Sequence, residues 1–252
     1  MIEVLILSLI QGITEFLPIS SSSHIVIFSE YLAFQEKSLS IDISLHIGSF
    51  IAVIIYLKKE IFNFIENKEL FFKIFLSSIP IILIGFILVK TNFIDELRNI
   101  KIIAWMTLIF GLFLYFSDRF KLNKNLKEDF NLKAVFIIGI CQAISLVPGV
   151  SRSGITITAA RFLNFNRFDS AKISFLLSIP TLLAVTLYGV YKIFNSENNV
   201  VSSLNLLCIL LSFFFSYITI KFFLKFIKKF NLTIFVIYRI ILGITLLYIS
   251  YL

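Results

Sequence analysis

One acid, four consecutive serines and a histidine stand together in QGITEFLPISSSSH, Gln11 to His24, inside a chain that is otherwise oily. A charged side chain at bilayer depth costs about 2.5 to 3.5 kcal/mol on insertion scales, so Glu15 reads as a functional group. Gln11 and Glu15 are four residues apart and share one face of a helix. They fall in its last turns, where the negative end of the helix dipole disfavours a bare carboxylate. A cation resolves that conflict. One carboxylate and one amide suit Mg²⁺ or Ca²⁺, with substrate oxygens completing the shell. A structural ion pair between Glu15 and Arg152 is the alternative, and for Gln11 the alternative is a plain interhelical hydrogen bond. His24 can serve as general acid or base, or form a nucleophile and base pair with a serine.

A second polar stretch, CQAISLVPGVSRSG from Cys141 to Gly154, repeats the first at an offset of 131: Gln142 aligns with Gln11, Ser145 with Thr14, Ser151 with Ser20 and Ser153 with Ser22. Beyond Pro18, Ser20, Ser21, Ser22 and Ser23 offer caps and backbone amides to a helix beginning near His24, and Ser151, Ser153 and Gly154 do the same after the second loop. Two helix N-termini aimed at one point, with Arg152 beside them, make an anion site suited to phosphate. Serines alone are a weak signal, because they also glue membrane helices together.

The elements that must hold these loops follow from composition. Hydrophobic residues make up 58% of the 252, charged residues only 15%, and mean hydropathy is +0.96, which places the chain in the membrane. Continuous apolar runs, without the alternation of a barrel, indicate an all-α polytopic protein. Runs are expected at 2–17, 24–34, 41–57, 71–90, 101–117, 134–147, 155–163, 171–192, 203–222 and 233–251. The short ones flank the two polar loops, so each pair is expected to form a re-entrant hairpin whose tip is buried in protein. No basic run or small-residue cleavage site precedes Gln11, so the first segment is expected to remain in the mature protein. Cys141 and Cys208 stand singly and support neither a disulfide nor a zinc site. The net charge of +8 comes from short loops, where the positive-inside rule accounts for it better than nucleic-acid binding does.

Loops 58–70, 118–133 and 221–230 carry the Lys and Arg residues and are placed in the cytoplasm. The first hairpin then dips in from the periplasmic side and the second from the cytoplasm. Ala52, Val53 and Tyr56 align with Ala184, Val185 and Tyr188, and Gly111 with Gly243. A single membrane domain is expected, an inverted-topology repeat of about 1–120 and 132–252, each half a hairpin plus three transmembrane helices, with the site where the tips meet. His46 reads as a packing residue in an apolar helix. Arg161 and Arg239 read as paired or snorkelling, with Arg239 also within range of the site from the last span.

The two loops, together with LHIGSFIAV, SFLLSIP and VIYR, resemble the undecaprenyl-diphosphate phosphatase family of the bacitracin-resistance type over nearly the whole chain. That resemblance implies hydrolysis of the C55 lipid diphosphate to the monophosphate at the outer face of the bacterial inner membrane. Gln11 and Glu15 match the family's E/Q-x-x-x-E pair, Ser21 and His24 its active-site serine and histidine, and Arg152 its essential arginine. Gln at the first position makes Glu15 the main metal ligand, and Ser23 stands where glycine is common. Ser21 activated by His24 is the expected nucleophile, with an activated water as the alternative. The polyprenyl diphosphate lipid and the bilayer are the implied partners, and a homodimer is left open. A lipid transporter or flippase is the rival reading, since inverted repeats with polar hairpins are also a transporter architecture. A phosphatase of the phosphatidic-acid type fails at Thr158, where the S-R-x5-H spacing needs histidine.

Overall fold

The computed structural model describes residues 2–21, 23–24, 39–66, 68–91, 93–120, 124–195 and 203–251. Ten helices carry the architecture: α1 Ile2–Thr14, α2 Leu39–Tyr56, α3 Lys58–Glu66, α4 Lys68–Lys90, α5 Ile100–Asp118, α6 Leu132–Ile144, α7 Arg152–Phe162, α8 Arg167–Phe194, α9 Ser203–Ile227 and α10 Thr233–Tyr251. No strand occurs among the described residues. Six helices, α2, α4, α5, α8, α9 and α10, are long and apolar enough to cross a bilayer. At about 1.5 Å per residue, 18 or more residues approach the ~30 Å hydrocarbon core, whereas the 13 residues of α1 and α6 and the 11 of α7 do not. The expected segment at 24–34 lies outside the described residues apart from His24.

The ends of the elements have local causes. Asn99, Asn131 and Asn166 each accept from an amide in the first turn of α5, α6 and α8. Besides the single turns Phe93–Glu96 and Leu126–Asp129, the chain is helical at two longer stretches expected as loops. Residues 58–66 form the helix α3, and α9 runs on to Ile227 through what reads as a Lys-rich loop. In both, alternating basic and apolar residues keep helical spacing, which a charge count does not register.

Helix pairs recur across the two halves. α1 packs on α9 as α6 packs on α4, α2 lies against α9 as α8 lies against α4, and α2–α8 and α5–α10 pair directly. Small residues set the close approaches, as expected where lipid removes the hydrophobic drive between helices. A Cβ on Gly12 would lie 2.9 Å from Ser216 N on α9, and one on Gly139 3.1 Å from Ser77 Cα on α4. Hydroxyls add to this: Ser49 bonds Ser212 and Ser216, and Ser77 donates to Val135 O. The central core gathers Phe16, Leu114, Ile138, Ile157, Phe175 and Phe223, and wraps the two polar loops.

Candidate active site

Glu15 follows the last residue of α1 and is buried there. Its carboxylate is the centre of the site: Oε1 accepts from Arg152 Nη2 at 2.8 Å, and Oε2 accepts from Ser21 Oγ at 2.9 Å and Gln11 Nε2 at 3.1 Å. The conflict with the helix dipole is therefore met by the guanidinium, the ion-pair alternative, reaching from the second polar loop to the first. Arg152 is steadied by Ser174 O, 3.3 Å from Nη1. Gln11 Nε2 also meets His46 Nδ1 at 3.1 Å, so His46 sits behind Gln11 and not merely in apolar packing.

The two loops turn by the same backbone device. Ser20 has φ 74° and Ser151 φ 72°, a left-handed conformation at equivalent positions. Such a residue carries strain of about 1–3 kcal/mol and persists where its surroundings hold it, commonly at functional sites. Ser20 Oγ bonds Ser23 Oγ at 2.8 Å, and Ser151 Oγ bonds Ser153 Oγ at 3.2 Å. Gly154 N donates to Ser151 Oγ, so this amide is engaged by the cap and the Arg152 and Ser153 amides are those left at the α7 N-terminus. Ser153 Oγ donates to Leu17 O at 2.7 Å and ties the second loop to the first. Ser22 lies outside the described residues.

His24 is turned away from Ser21. Its Nδ1 is 2.6 Å from Ser20 O and its Nε2 is 2.5 Å from Tyr238 Oη, with the two rings stacked 10° from parallel. A carbonyl only accepts, so Nδ1 carries the proton and neutral Nε2 accepts from the tyrosine. Among the described residues Ser21 has its side-chain hydrogen bond with Glu15, not with His24. The serine run suggested a Ser–His pair because the two are close in sequence. In the fold each has another partner, Glu15 for the serine and Ser20 O and Tyr238 for the histidine.

Arg239, fully buried on α10, has no carboxylate partner among the described residues. It neither pairs nor snorkels. Its five N–H groups meet five backbone carbonyls: Nε that of Thr107, Nη1 those of Pro18 and Val150, and Nη2 those of Gly149 and Met106, at 2.8 to 3.5 Å. Pro18 belongs to the first loop, Gly149 and Val150 to the second, so one side chain fixes both. A Cβ on Gly154 would lie 2.9 Å from Arg239 Nη1, which is why that position is clear of side chain. Arg239 and Tyr238 are adjacent in VIYR, and only the fold shows that one orients the loops and the other the histidine.

Comparison with known proteins identifies the lineage. Residues 4–245 match the family described as bacitracin resistance protein BacA. The chain belongs to the BacA family. Relatives within it include the undecaprenyl-diphosphatase of Pelagibacter ubique (strain HTCC1062), 47% identical over 99% of this chain and 98% of that protein. Those of Saccharophagus degradans, at 42% over 94% and 93%, and of Jannaschia sp. (strain CCS1), at 36% over 98% and 97%, are also undecaprenyl-diphosphatases by name.

As to a divalent cation, no group of three or more His, Cys, Asp or Glu side chains occurs among the described residues. What the site offers is the Glu15 carboxylate and Gln11 Oε1, a buried amide oxygen without a hydrogen-bond partner. Gln11 faces the carboxylate with Nε2, so holding a hard cation between the two would need the amide turned to bring Oε1 to it.

Proposed function

We propose that the chain hydrolyses undecaprenyl diphosphate to undecaprenyl phosphate and inorganic phosphate, regenerating the lipid carrier for peptidoglycan synthesis and so opposing bacitracin. One observation carries the chemical reading: a single carboxylate holds both Ser21 Oγ, at 2.9 Å, and the Arg152 guanidinium, at 2.8 Å. A phosphate bound at Arg152 is thereby adjacent to the serine, and the carboxylate is in place to take the serine's proton.

In the first step Ser21 Oγ bonds to the terminal phosphorus while the bond from that phosphorus to the bridging oxygen breaks. Undecaprenyl phosphate leaves with the bridging oxygen, and the serine proton passes to Glu15 Oε2. Water then hydrolyses the phosphoserine, releasing phosphate and restoring Ser21. Arg152 and the Arg152 and Ser153 amides face the charge on the equatorial oxygens, the stabilisation such transfers depend on. His24, with Nδ1 at Ser20 O and Nε2 at Tyr238, holds the first loop to the last span and is not the partner of Ser21. Mg²⁺ or Ca²⁺ at Glu15 and Gln11 would supply Lewis-acid polarisation of a phosphoryl oxygen.

The two halves are read as an inverted repeat of 1–120 and 132–252 with re-entrant hairpins; the mirrored helix pairs and the matched turns at Ser20 and Ser151 support this. The Lys/Arg-rich end is placed in the cytoplasm, so the first hairpin opens to the periplasm and meets lipid diphosphate left there.

Phosphate release from C55 diphosphate by purified wild type and Ser21→Ala, with and without chelator, tests the chemistry. We expect release that chelator suppresses and that falls at least ~100-fold in the variant, the scale of losing a nucleophile or its base. Lipid movement across vesicles without phosphate release would instead establish the transporter. For sidedness, Asn125→Cys and Asn195→Cys in a background without Cys141 and Cys208 are probed with an impermeant thiol reagent on spheroplasts. Labelling at 195 alone is expected, and labelling at 125 alone inverts the orientation.

A further inference from the structure

At the end of the molecule where α2, α3, α8 and α9 meet, a cleft of about 490 Å³ lies apart from the catalytic residues and shares none of them. Lys58, Lys59, Lys172, Lys221, Lys225 and Lys228 line it. They converge from three helices: two open α3, one is on α8, Lys221 and Lys225 are four apart on one face of α9, and Lys228 directly follows its end. The cleft has one carboxylate, Glu60, and that is bonded to Lys172 at 2.8 Å. Lys58, Lys59, Lys221 and Lys225 have no carboxylate partner among the described residues. Tyr56 and Tyr217 meet edge to face in the wall, and Lys228 lies over the Phe168 ring at 4.4 Å.

Positive charge at this end is expected of a cytoplasmic face, but scattered loop lysines would satisfy that rule. Convergence on one cleft is a different matter, because like charges repel unless an anion lies between them. The surroundings select the kind of anion. Ile55 in the cleft wall is 42% exposed, and Phe222, next to Lys221, is 66% exposed, so apolar surface for an acyl chain adjoins the charge. A tyrosine wall at this level suits the membrane interface. We propose that this cleft is a binding site for the phosphate-bearing headgroup of an anionic membrane phospholipid, with its acyl chains along α2 and α9. The site stands independently of the phosphatase reading and of which face of the membrane it occupies.

The full-length protein is reconstituted in nanodiscs of phosphatidylcholine containing a minor fraction of phosphatidylglycerol, and the lipids retained on gentle extraction are counted by native mass spectrometry. Wild type is expected to retain phosphatidylglycerol in preference to phosphatidylcholine. The Lys221→Gln/Lys225→Gln variant should lose about tenfold of that preference, in line with the contribution of basic residues at a lipid surface. Lys127→Gln/Lys133→Gln removes the same charge outside the cleft and should leave the preference within about twofold of wild type. Equal retention of both lipids by wild type, or an equal loss in the two double variants, overturns the proposal. So does displacement of the bound lipid by millimolar inorganic phosphate, which would make the cleft a site for the free anion. Phosphatase activity in detergent without added lipid should be unchanged in Lys221→Gln/Lys225→Gln, separating this outcome from any failure of the catalytic reading.

Discussion

Among the described residues, two buried carboxylates face arginines, and they are held very differently. Asp118, at the end of α5, meets Arg167 Nε at 2.7 Å and Nη2 at 3.1 Å, Arg161 at 3.2 Å and the Leu232 amide at 2.9 Å. Arg161 adds bonds to Phe165 O and Phe120 O. The ends of α5 and α7 and the starts of α8 and α10 are thus knotted by a carboxylate shared between two arginines. Glu15 has one arginine, and its remaining partners are a neutral hydroxyl and an amide. An excess of fixed partners makes a structural joint. A single exchangeable cation next to a hydroxyl leaves a group able to change partners when an anion arrives.

That contrast is sharpest in activity at Glu15 and in stability at Asp118. Glu15→Gln is expected to lower kcat of the folded fraction by about 10²- to 10⁴-fold, the range for losing a general base, while the thermal midpoint falls because Arg152 loses its carboxylate, though less than in Asp118→Asn, where two arginines are left. Gln11→Ala should cost far less, since it contributes no net charge. Equal losses in these two folded variants would remove Glu15 from its role. Arg152→Lys should stay badly impaired, by about 10- to 100-fold, because lysine cannot fork between Glu15, Ser174 O and a phosphate and a charge-assisted contact is worth ~1.5–3 kcal/mol. Near-normal turnover would reduce Arg152 to a general positive field.

Asp118→Asn should act on stability far more than on turnover. Breaking a buried pair by removing one partner costs about 3–5 kcal/mol, so the midpoint of thermal unfolding in detergent should drop while kcat of the folded fraction stays within a few-fold. A loss of kcat matching that of Glu15→Gln, at unchanged stability, would erase the distinction. Tyr238→Phe gives the smallest effect. It removes one hydrogen bond to His24 Nε2, worth about 0.5–1.5 kcal/mol, and phosphate release should slow by no more than about tenfold.

Much of this was legible in the sequence because its causes are local. Apolar runs of fixed length dictate spans, and Ile100–Asp118 and Thr233–Tyr251 fall within a residue or so of where composition puts them. Ser20 and Ser151 were paired by spacing alone, and they turn with the same left-handed φ. Gln11, Glu15, Ser21 and Arg152, drawn from the two loops, do converge. The Lys-rich segments were misread as loops because charge counting ignores helical spacing.

The partners of each group belonged to the tertiary structure. Sequence proximity joined Ser21 to His24, yet packing gives the serine to Glu15 and the histidine to Tyr238, 214 residues away. Arg239 read as a paired or snorkelling charge within range of the site, and its partners stayed hidden because backbone carbonyls from Pro18, Val150 and Gly149 carry no sequence signature that could announce them. Residue type and spacing determine which groups can enter the membrane and on which element they stand. Which donor meets which acceptor is decided by packing, because in a dry interior each buried polar group must find its partner wherever the fold brings one within reach.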